Sequence, residues 1–125
     1  MAGQPIGNLN TIVLLVQDMN RSVVFYRDVL GLAVLGAGGP WAFFDAGAVT
    51  LALQVHPEGT KPQGYAVELV LRVPDATQAH ETLMERGVVF LNEIRQFTQT
   101  DHGASFRDPD GHLFTIMGPL TEAGT

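Results

Sequence analysis

The residues in this chain best suited to chemistry are the carboxylate of Glu68 and the guanidinium of Arg72. Glu68 opens the otherwise apolar segment Glu68-Leu-Val-Leu-Arg-Val73. A carboxylate that faces an apolar cavity can act as a general base, bind a cation or accept a hydrogen bond from a ligand hydroxyl. The structural alternative is an ion pair with Arg72, which is expected on the same strand face. We favour pairing or plain hydrogen bonding over catalysis.

The four histidines do not form a metal-binding pattern. They are His56, His80, His102 and His112, and none is spaced from another histidine or acidic residue as a chelating pair on one helix is. His102 stands in a polar loop and is the one histidine considered as a catalytic partner of Glu68, although a surface role is favoured for it as well. The chain has no cysteine, which excludes a disulfide framework, a thiolate nucleophile and a zinc-finger-type site.

The composition is that of a globular protein of the cytoplasm. The chain has 125 residues, of which 46% are hydrophobic and 16% charged, enough for one compact domain. Its apolar runs are too short to span a bilayer, and no basic and then apolar leader opens the chain, so we expect no membrane partner. The formal charge of −6 argues against nucleic acid as a partner and would suit a cationic ligand, although an acidic surface usually serves solubility.

The chain contains an internal repeat. One apolar run ends with Val16 and Asp18, and another ends with Val73 and Asp75. The two valines are 57 residues apart, and so are the two aspartates. Each run is followed by a helix-like stretch that ends in glycine, at Gly31 and at Gly87. A repeat of this length that occurs only twice predicts two paired modules that share one site.

Each half reads as strand-helix-strand-strand-strand. The prediction is therefore an α+β fold in which two βαβββ modules, paired ferredoxin-like halves, curl around a shared cavity. One domain would cover residues 1–125, with module one at about 8–56, a Pro- and Gly-rich linker at 57–64 and module two at about 65–119. The expected strands are 11–16, 32–35, 41–46, 49–55, 65–73, 88–94, 103–107 and 112–117, and the expected helices are 22–30 and 76–86.

Two motifs carry a resemblance to a known family. They are the run from Val16 through Phe25-Tyr26 to Leu30-Gly31, and the hairpin Phe106-Arg-Asp108-Pro-Asp110-Gly111-His-Leu. In this order they resemble the vicinal oxygen chelate superfamily, which contains glyoxalases, bleomycin-resistance proteins, extradiol dioxygenases and methylmalonyl-CoA epimerases. The resemblance extends from about Asn8 to Pro119. These motifs specify caps, core and turns, so they imply the fold more strongly than the chemistry.

The resemblance also implies four positions at which metal-using members place their ligands, typically His or Gln, Glu, His and Glu. Here these positions hold Thr11, Ala52, Glu68 and Thr115. One carboxylate, two hydroxyls and a methyl group cannot compete with water for a divalent first-row metal. We therefore predict no metal and no other cofactor.

Strand alternation predicts which side chains line the cavity. Besides Glu68, the predicted ligand-binding residues are Thr11, Val13, Trp41, Phe43, Ala52, Gln54, Arg72, Thr115 and Met117. An apolar pocket with a few polar anchors suits a small organic ligand. The alternative is that these side chains fill the space as a packed core, but the small residues Thr11, Ala52 and Thr115 favour an opening.

Three functional hypotheses follow from the resemblance. The first is a metal-free protein, similar to the bleomycin-resistance class, that sequesters a small apolar or aromatic molecule and forms a homodimer. The second is a metal-independent lyase, isomerase or cyclase with Glu68 as general base and His102 or Arg72 as its partner. The third is a metal-dependent glyoxalase-like lyase or dioxygenase, which the donor set disfavours.

Overall fold

The computed structural model describes residue 3, residues 5–56 and residues 67–120. The chain divides into two compact units, one within residues 1–60 and the other within residues 61–125. Over the described ranges each unit has a four-stranded mixed sheet and runs strand-helix-strand-strand-strand, which confirms the α+β class and the two βαβββ modules. The predicted linker 57–64 and residues 65–66 of the second module lie outside the described residues.

The first unit has the sheet order β1-β4-β3-β2, in which β1 runs parallel to β4 and the other pairs are antiparallel. A π-helical turn, Phe25–Val29, prolongs its helix, and the Leu30 amide donates to the Phe25 carbonyl at 3.0 Å. The elements are β1 (Thr11–Val16), α1 (Met19–Val24), β2 (Ala33–Gly38), β3 (Trp41–Asp45) and β4 (Thr50–Val55).

The second unit repeats this arrangement with the sheet order β5-β8-β7-β6, in which β5 runs parallel to β8. Its elements are β5 (Glu68–Arg72), α2 (Ala76–Glu85), β6 (Arg95–Gln96), β7 (His102–Arg107) and β8 (Leu113–Gly118). In the described part of the chain, no helix is both long and apolar enough to cross a membrane.

Both helices begin and end with the chemistry that the repeat predicts. The Asp18 carboxylate accepts the Arg21 amide, and the Asp75 carboxylate accepts the Gln78 amide, each at 3.1 Å. Such N-caps satisfy a backbone donor that has no partner within the helix. Gly31 and Gly87, with φ of 75° and 93°, follow the helical segments in the left-handed conformation that glycine adopts without steric cost.

Each helix covers one face of its own sheet. Tyr26, in the helical segment of the first unit, is fully buried with its ring 5.8 Å from that of Phe44. In the second unit α2 packs against β7 and β8, where the stacked rings of Phe106 and Phe114 are buried. The alternate residues of each sheet therefore point away from its helix.

The sixth strand is the element that the sequence misplaces most, since β2 ends three residues after its predicted end and α1 begins three residues before its predicted start. The apolar alternation predicts a strand at 88–94, but the structure has β6 at Arg95–Gln96. The Leu91 amide does donate to the Ser105 carbonyl at 2.8 Å, whereas the Ser105 amide donates to the side chain of Asn92 at 3.1 Å. The Asn92 side chain thus takes the place of a backbone carbonyl, which interrupts the ladder before β6.

The turn between β7 and β8 forms where the Asp-Pro-Asp-Gly sequence predicts it. The Asp108 carboxylate accepts the amides of Asp110 and His112 at 3.0 and 2.7 Å. The Gly111 amide donates to the Asp108 carbonyl at 3.0 Å. These bonds fix the register of the β7–β8 hairpin.

Candidate functional site

The face of the first sheet that points away from α1 carries all the predicted site residues of the first unit. Pairing of β1 with β4 and of β4 with β3 puts them side by side. We call this surface the Trp41 face, and it consists of Thr11, Val13, Trp41, Phe43, Ala52 and Gln54.

Two parallel aromatic rings dominate the Trp41 face. The ring planes of Trp41 and Phe43 differ by 2° and their centroids lie 5.8 Å apart. Phe43 is 37% exposed and Val13 is 46% exposed, so apolar surface is accessible here. On the neighbouring strand β2, Gly38 pairs with Trp41 and Gly36 with Phe43, so the two paired positions carry no side chain, while a bulge between Val34 and Gly36 leaves Leu35 unpaired. A Cβ atom built at either glycine meets no other atom within 4 Å.

The Trp41 face has little polar chemistry. The Thr11 hydroxyl donates to the Asn10 side chain at 2.6 Å, and Ala52 is fully buried at the centre of the sheet. Gln54 is half-buried and supplies the amide of this face. Contact on this surface is therefore mainly apolar and aromatic.

The corresponding face of the second sheet is polar. Register in β5, β8 and β7 puts Glu68, Val70, Arg72, Ser105, Thr115 and Met117 on the side that points away from α2. We call this surface the Glu68 face. The sequence-based prediction that the Trp41 face and the Glu68 face line one cavity stays a prediction.

A chain of three side chains crosses the Glu68 face. The Thr115 hydroxyl donates to Glu68 Oε2 at 2.5 Å, and the Ser105 and Thr115 hydroxyl oxygens lie 2.7 Å apart. Thr115 is 2% exposed and Ser105 is 6% exposed, whereas Glu68 is exposed. Glu68 thus accepts a hydrogen bond from Thr115, which is one of the two alternatives to catalysis that the sequence left open, the other being an ion pair.

Arg72 does not pair with Glu68. Its guanidinium instead donates to both carboxylate oxygens of Asp101, at 2.8 and 3.1 Å. This bidentate hydrogen bond holds the pKa of Asp101 below its ordinary value of 3.8, and the positive charge of Arg72 lowers the pKa further. The positive charge of Arg72 is therefore already compensated on this face.

His102 lies apart from Glu68. Because β7 begins at His102, this residue alternates with Gly103 and belongs to the same face as Ala104 and Phe106, on the α2 side of the sheet. Its buried Nδ1 atom has no hydrogen-bond partner among the described residues. The register thus puts Glu68 and His102 on different faces, and their predicted catalytic partnership stays a prediction.

The four positions implied as metal ligands do not fit a metal. In the described part of the chain, no group of three or more His, Cys, Asp or Glu side chains could hold an ion. The side chain of Ala52 has no metal-donor atom. Thr115 donates its hydroxyl proton to Glu68 Oε2, so this carboxylate oxygen already accepts a hydrogen bond. One carboxylate with neutral hydroxyls is a poor donor set for a first-row divalent metal.

The sequence did not identify Ser105, which belongs to the Glu68 face, or Asp101, which contacts Arg72 of that face. Ser105 lies directly opposite Thr115 in the β7–β8 pairing and Asp101 immediately precedes β7. The alternation of β7 contained the signal for Ser105, since it follows from pairing the two strands through the Asp108 turn. The contact of Arg72 with Asp101 spans 29 residues of sequence and has no local signal.

Comparison with known proteins agrees with the fold and motifs. The family model Glyoxalase/Bleomycin resistance protein/Dioxygenase superfamily matches residues 8–116, so the chain belongs to this superfamily and the predicted resemblance is confirmed. A relative named metallothiol transferase FosB, from Shouchella clausii, is 30% identical over 124 residues, covering 94% of this chain and 84% of the relative.

Many solved structures share the fold. A glyoxalase/bleomycin resistance protein/dioxygenase from Nocardioides superposes with a TM-score of 0.76 at 22% identity, covering 100% of this chain and 89% of that one. TnmS3, an antibiotic binding protein from Streptomyces sp. CB03234, superposes with a TM-score of 0.73 at 25% identity, covering 94% of this chain and 99% of that one.

Proposed function

We propose that the protein binds a small, largely apolar or aromatic molecule through the Trp41 face and the Glu68 face, without a bound metal ion. The observation that carries the proposal is the pair of parallel rings of Trp41 and Phe43, which lies beside strand positions without side chains. Planar apolar groups stack on such rings and remove their faces from water. The similarity to TnmS3 supports the same class of activity.

The metal-free part of the proposal rests on the donor set. Thr11, Ala52 and Thr115 supply no anionic or imidazole ligand, and Glu68 already accepts a hydrogen bond. Elemental analysis of protein purified without chelators should find less than about one-tenth of an equivalent of any first-row metal, as expected for a site with a single carboxylate. A stoichiometric amount of manganese, iron, nickel or zinc would contradict this part.

The chain provides its own probe for ligand binding. Trp41 is the only tryptophan, so its fluorescence reports on the Trp41 face without any labelling. Titration with planar aromatic compounds should quench this emission in a saturable way, and excess EDTA should leave the dissociation constant unchanged. If no compound in a diverse aromatic library quenches the emission saturably, the proposal is wrong.

A pair of matched variants tests the location of binding. Phe43→Ala removes one ring of the stacked pair and should weaken binding about fivefold, because such aromatic contacts contribute about 1 kcal/mol. Val24→Ala is the control, since Val24 is an apolar side chain of similar exposure, 47%, but lies on α1, which packs on the opposite side of the same sheet. Calorimetry should show a loss for the first variant only, and equal losses would contradict the assignment.

A metal-independent lyase, isomerase or cyclase with Glu68 as general base is the second candidate. The exposed carboxylate supports it, whereas the placement of His102 and the engagement of Arg72 leave Glu68 without the predicted acid partner. Product formation from a bound ligand that is lost in Glu68→Gln would favour this candidate over sequestration. The relative named metallothiol transferase FosB makes a transferase activity a further possibility for this chain, and the same product analysis tests it.

We further propose that the protein acts in the cytoplasm as a homodimer. Exposed apolar side chains outside the Trp41 face and the Glu68 face, Leu35, Val89 and Leu91, support association. Light scattering should give twice the chain mass of 13.5 kDa at micromolar concentration. A mass of one chain would contradict the dimer without affecting the binding proposal.

A further inference from the structure

The hydroxyl chain on the Glu68 face has a fixed direction. A hydroxyl group has one proton to donate, and a carboxylate only accepts hydrogen bonds. Thr115 gives its proton to Glu68 Oε2, so the 2.7 Å contact between Thr115 and Ser105 must use the Ser105 proton. The chain therefore runs from Ser105 through Thr115 to Glu68, with both hydroxyl residues buried and the carboxylate exposed.

This chain holds one oxygen of Glu68 and leaves the other available. Among the described residues, Glu68 Oε1 has no hydrogen-bond partner, while Oε2 is held by Thr115. The nearby cations are engaged elsewhere: Arg72 donates to Asp101, and Arg107 donates to the Gly111 carbonyl at 2.8 Å. The Glu68 face thus presents an oriented anionic acceptor that no described cation of the protein neutralises.

We infer that Glu68 Oε1 is the anchor for a protonated amine on the ligand, and that Ser105 and Thr115 are positioning residues for this anchor. An ammonium group forms a shorter and stronger bond to a carboxylate than a neutral hydroxyl does. Val70 is the next residue of β5 on the same face as Glu68 and is 50% exposed, so it gives the apolar part of the ligand a surface beside the anchor. The inference rests on the proposed binding function and specifies the chemical class of its ligand as a hydrophobic amine.

Three naphthalene compounds of similar shape test the inference: 1-naphthylmethylamine, 1-naphthylmethanol and 1-naphthoate. Their dissociation constants can be measured at pH 7 from amide chemical shifts of the ¹⁵N-labelled protein. The amine should bind about tenfold more tightly than the alcohol, since a charge-assisted hydrogen bond is about twice as strong as a neutral one, and the carboxylate should bind most weakly. Equal affinity of amine and alcohol would overturn the inference while leaving the binding function standing.

Variants of the anchor separate selectivity from general loss of structure. Glu68→Gln keeps the shape but loses the charge, so the ratio of alcohol to amine dissociation constants should fall to about one while the alcohol affinity is retained. Glu81→Gln is the control, because Glu81 is an exposed carboxylate on α2, which packs on the opposite side of the sheet. An unchanged ratio in Glu68→Gln, or an equal fall in Glu81→Gln, would overturn the assignment of Glu68.

The positioning role of the hydroxyls has its own readout. Thr115→Val breaks the chain next to Glu68 and should lower the ratio about threefold, whereas Thr115→Ser keeps a hydroxyl there and should restore it. Ser105→Ala removes only the outer donor and should have the smaller effect. If the two Thr115 variants show the same ratio, the hydroxyls are not positioning residues.

If all three naphthalene compounds fail to bind but other aromatic compounds quench the Trp41 emission, the inference is wrong and the proposed binding function stands. If no aromatic compound quenches the emission, both are wrong.

Discussion

The replacement of Gly103 by alanine tests the close approach that shapes the Glu68 face. In the register of the two sheets, Gly103 of β7 holds the place that Trp41 holds in β3, since Gly103 pairs with Met117 and Trp41 with Gln54. A Cβ atom at Gly103 would lie 1.9 Å from the Ile116 carbonyl oxygen and 2.8 Å from Phe97. The carbonyl is backbone and cannot rotate away, so β7 and β8 would have to separate.

The size of the effect follows from that distance. An ordinary contact begins at 3.4 Å, so the strands must shift by about 1.5 Å, the difference between 3.4 and 1.9 Å. Overpacking of this kind costs about 1–3 kcal/mol, and each weakened ladder hydrogen bond adds about 1 kcal/mol. We expect a loss of about 2–4 kcal/mol in the free energy of unfolding, or about 8–15 °C in Tm for a chain of this length.

Thermal and urea unfolding followed by circular dichroism will measure the loss. Gly36→Ala is the matched control, because a Cβ atom at Gly36 on β2 meets nothing within 4 Å. It should change the free energy of unfolding by less than about 0.5 kcal/mol. If the two variants unfold at the same temperature, the close approach of β7 to the Ile116 carbonyl does not exist in solution and the register of this sheet is wrong.

Three further predictions concern stability. Thr115→Val should cost about 2 kcal/mol in urea unfolding, because the buried Ser105 hydroxyl loses its acceptor, and the double variant with Ser105→Ala should recover part of it. The pKa of Asp101 is lowered mainly by the Arg72 hydrogen bond, so the ionised carboxylate stabilises the fold above its ordinary pKa of 3.8 and this effect is lost as the pH falls through the lower pKa of the folded state. The difference in unfolding free energy between wild type and Asp101→Asn should therefore shrink from pH 5 downwards. A constant difference would contradict this prediction. Asp75→Ala should cost about 1 kcal/mol by loss of the α2 cap, and Asp75→Asn should cost less in the same assay.

Local chemistry made most of the fold predictable. The Asp caps, the terminal glycines and the Asp108 turn each act within a few residues, and they delimit α1, α2 and the β7–β8 hairpin in the structure. The exception, the strand expected at 88–94, fails because one side chain, Asn92, competes with the backbone for the Ser105 amide. Alternation alone carries no information on that competition.

The candidate site was predictable in its faces but not in its contacts. Alternation in β1, β4, β5 and β8 assigns Thr11, Ala52, Glu68 and Thr115 to the faces that point away from the helices. The partners on those faces come from other strands: Ser105 through the β7–β8 register, and Asp101 at the approach to β7. His102, expected in a polar loop, is instead the first residue of β7, where strand alternation sets its face.

Register equivalence between the two sheets explains how one duplicated module yields two kinds of surface. Where the first sheet has Phe43 and Ala52, the second has Ser105 and Thr115, which replaces an aromatic contact by a hydrogen-bonded pair. Stacking on rings is tolerant of position, whereas a hydrogen bond to one carboxylate oxygen is directional. Because Glu68 is already held through Oε2, it loses less rotational freedom when a ligand binds than a free carboxylate would. The first unit therefore offers apolar affinity and the second unit offers orientation, so substitution on one face should change affinity or selectivity separately.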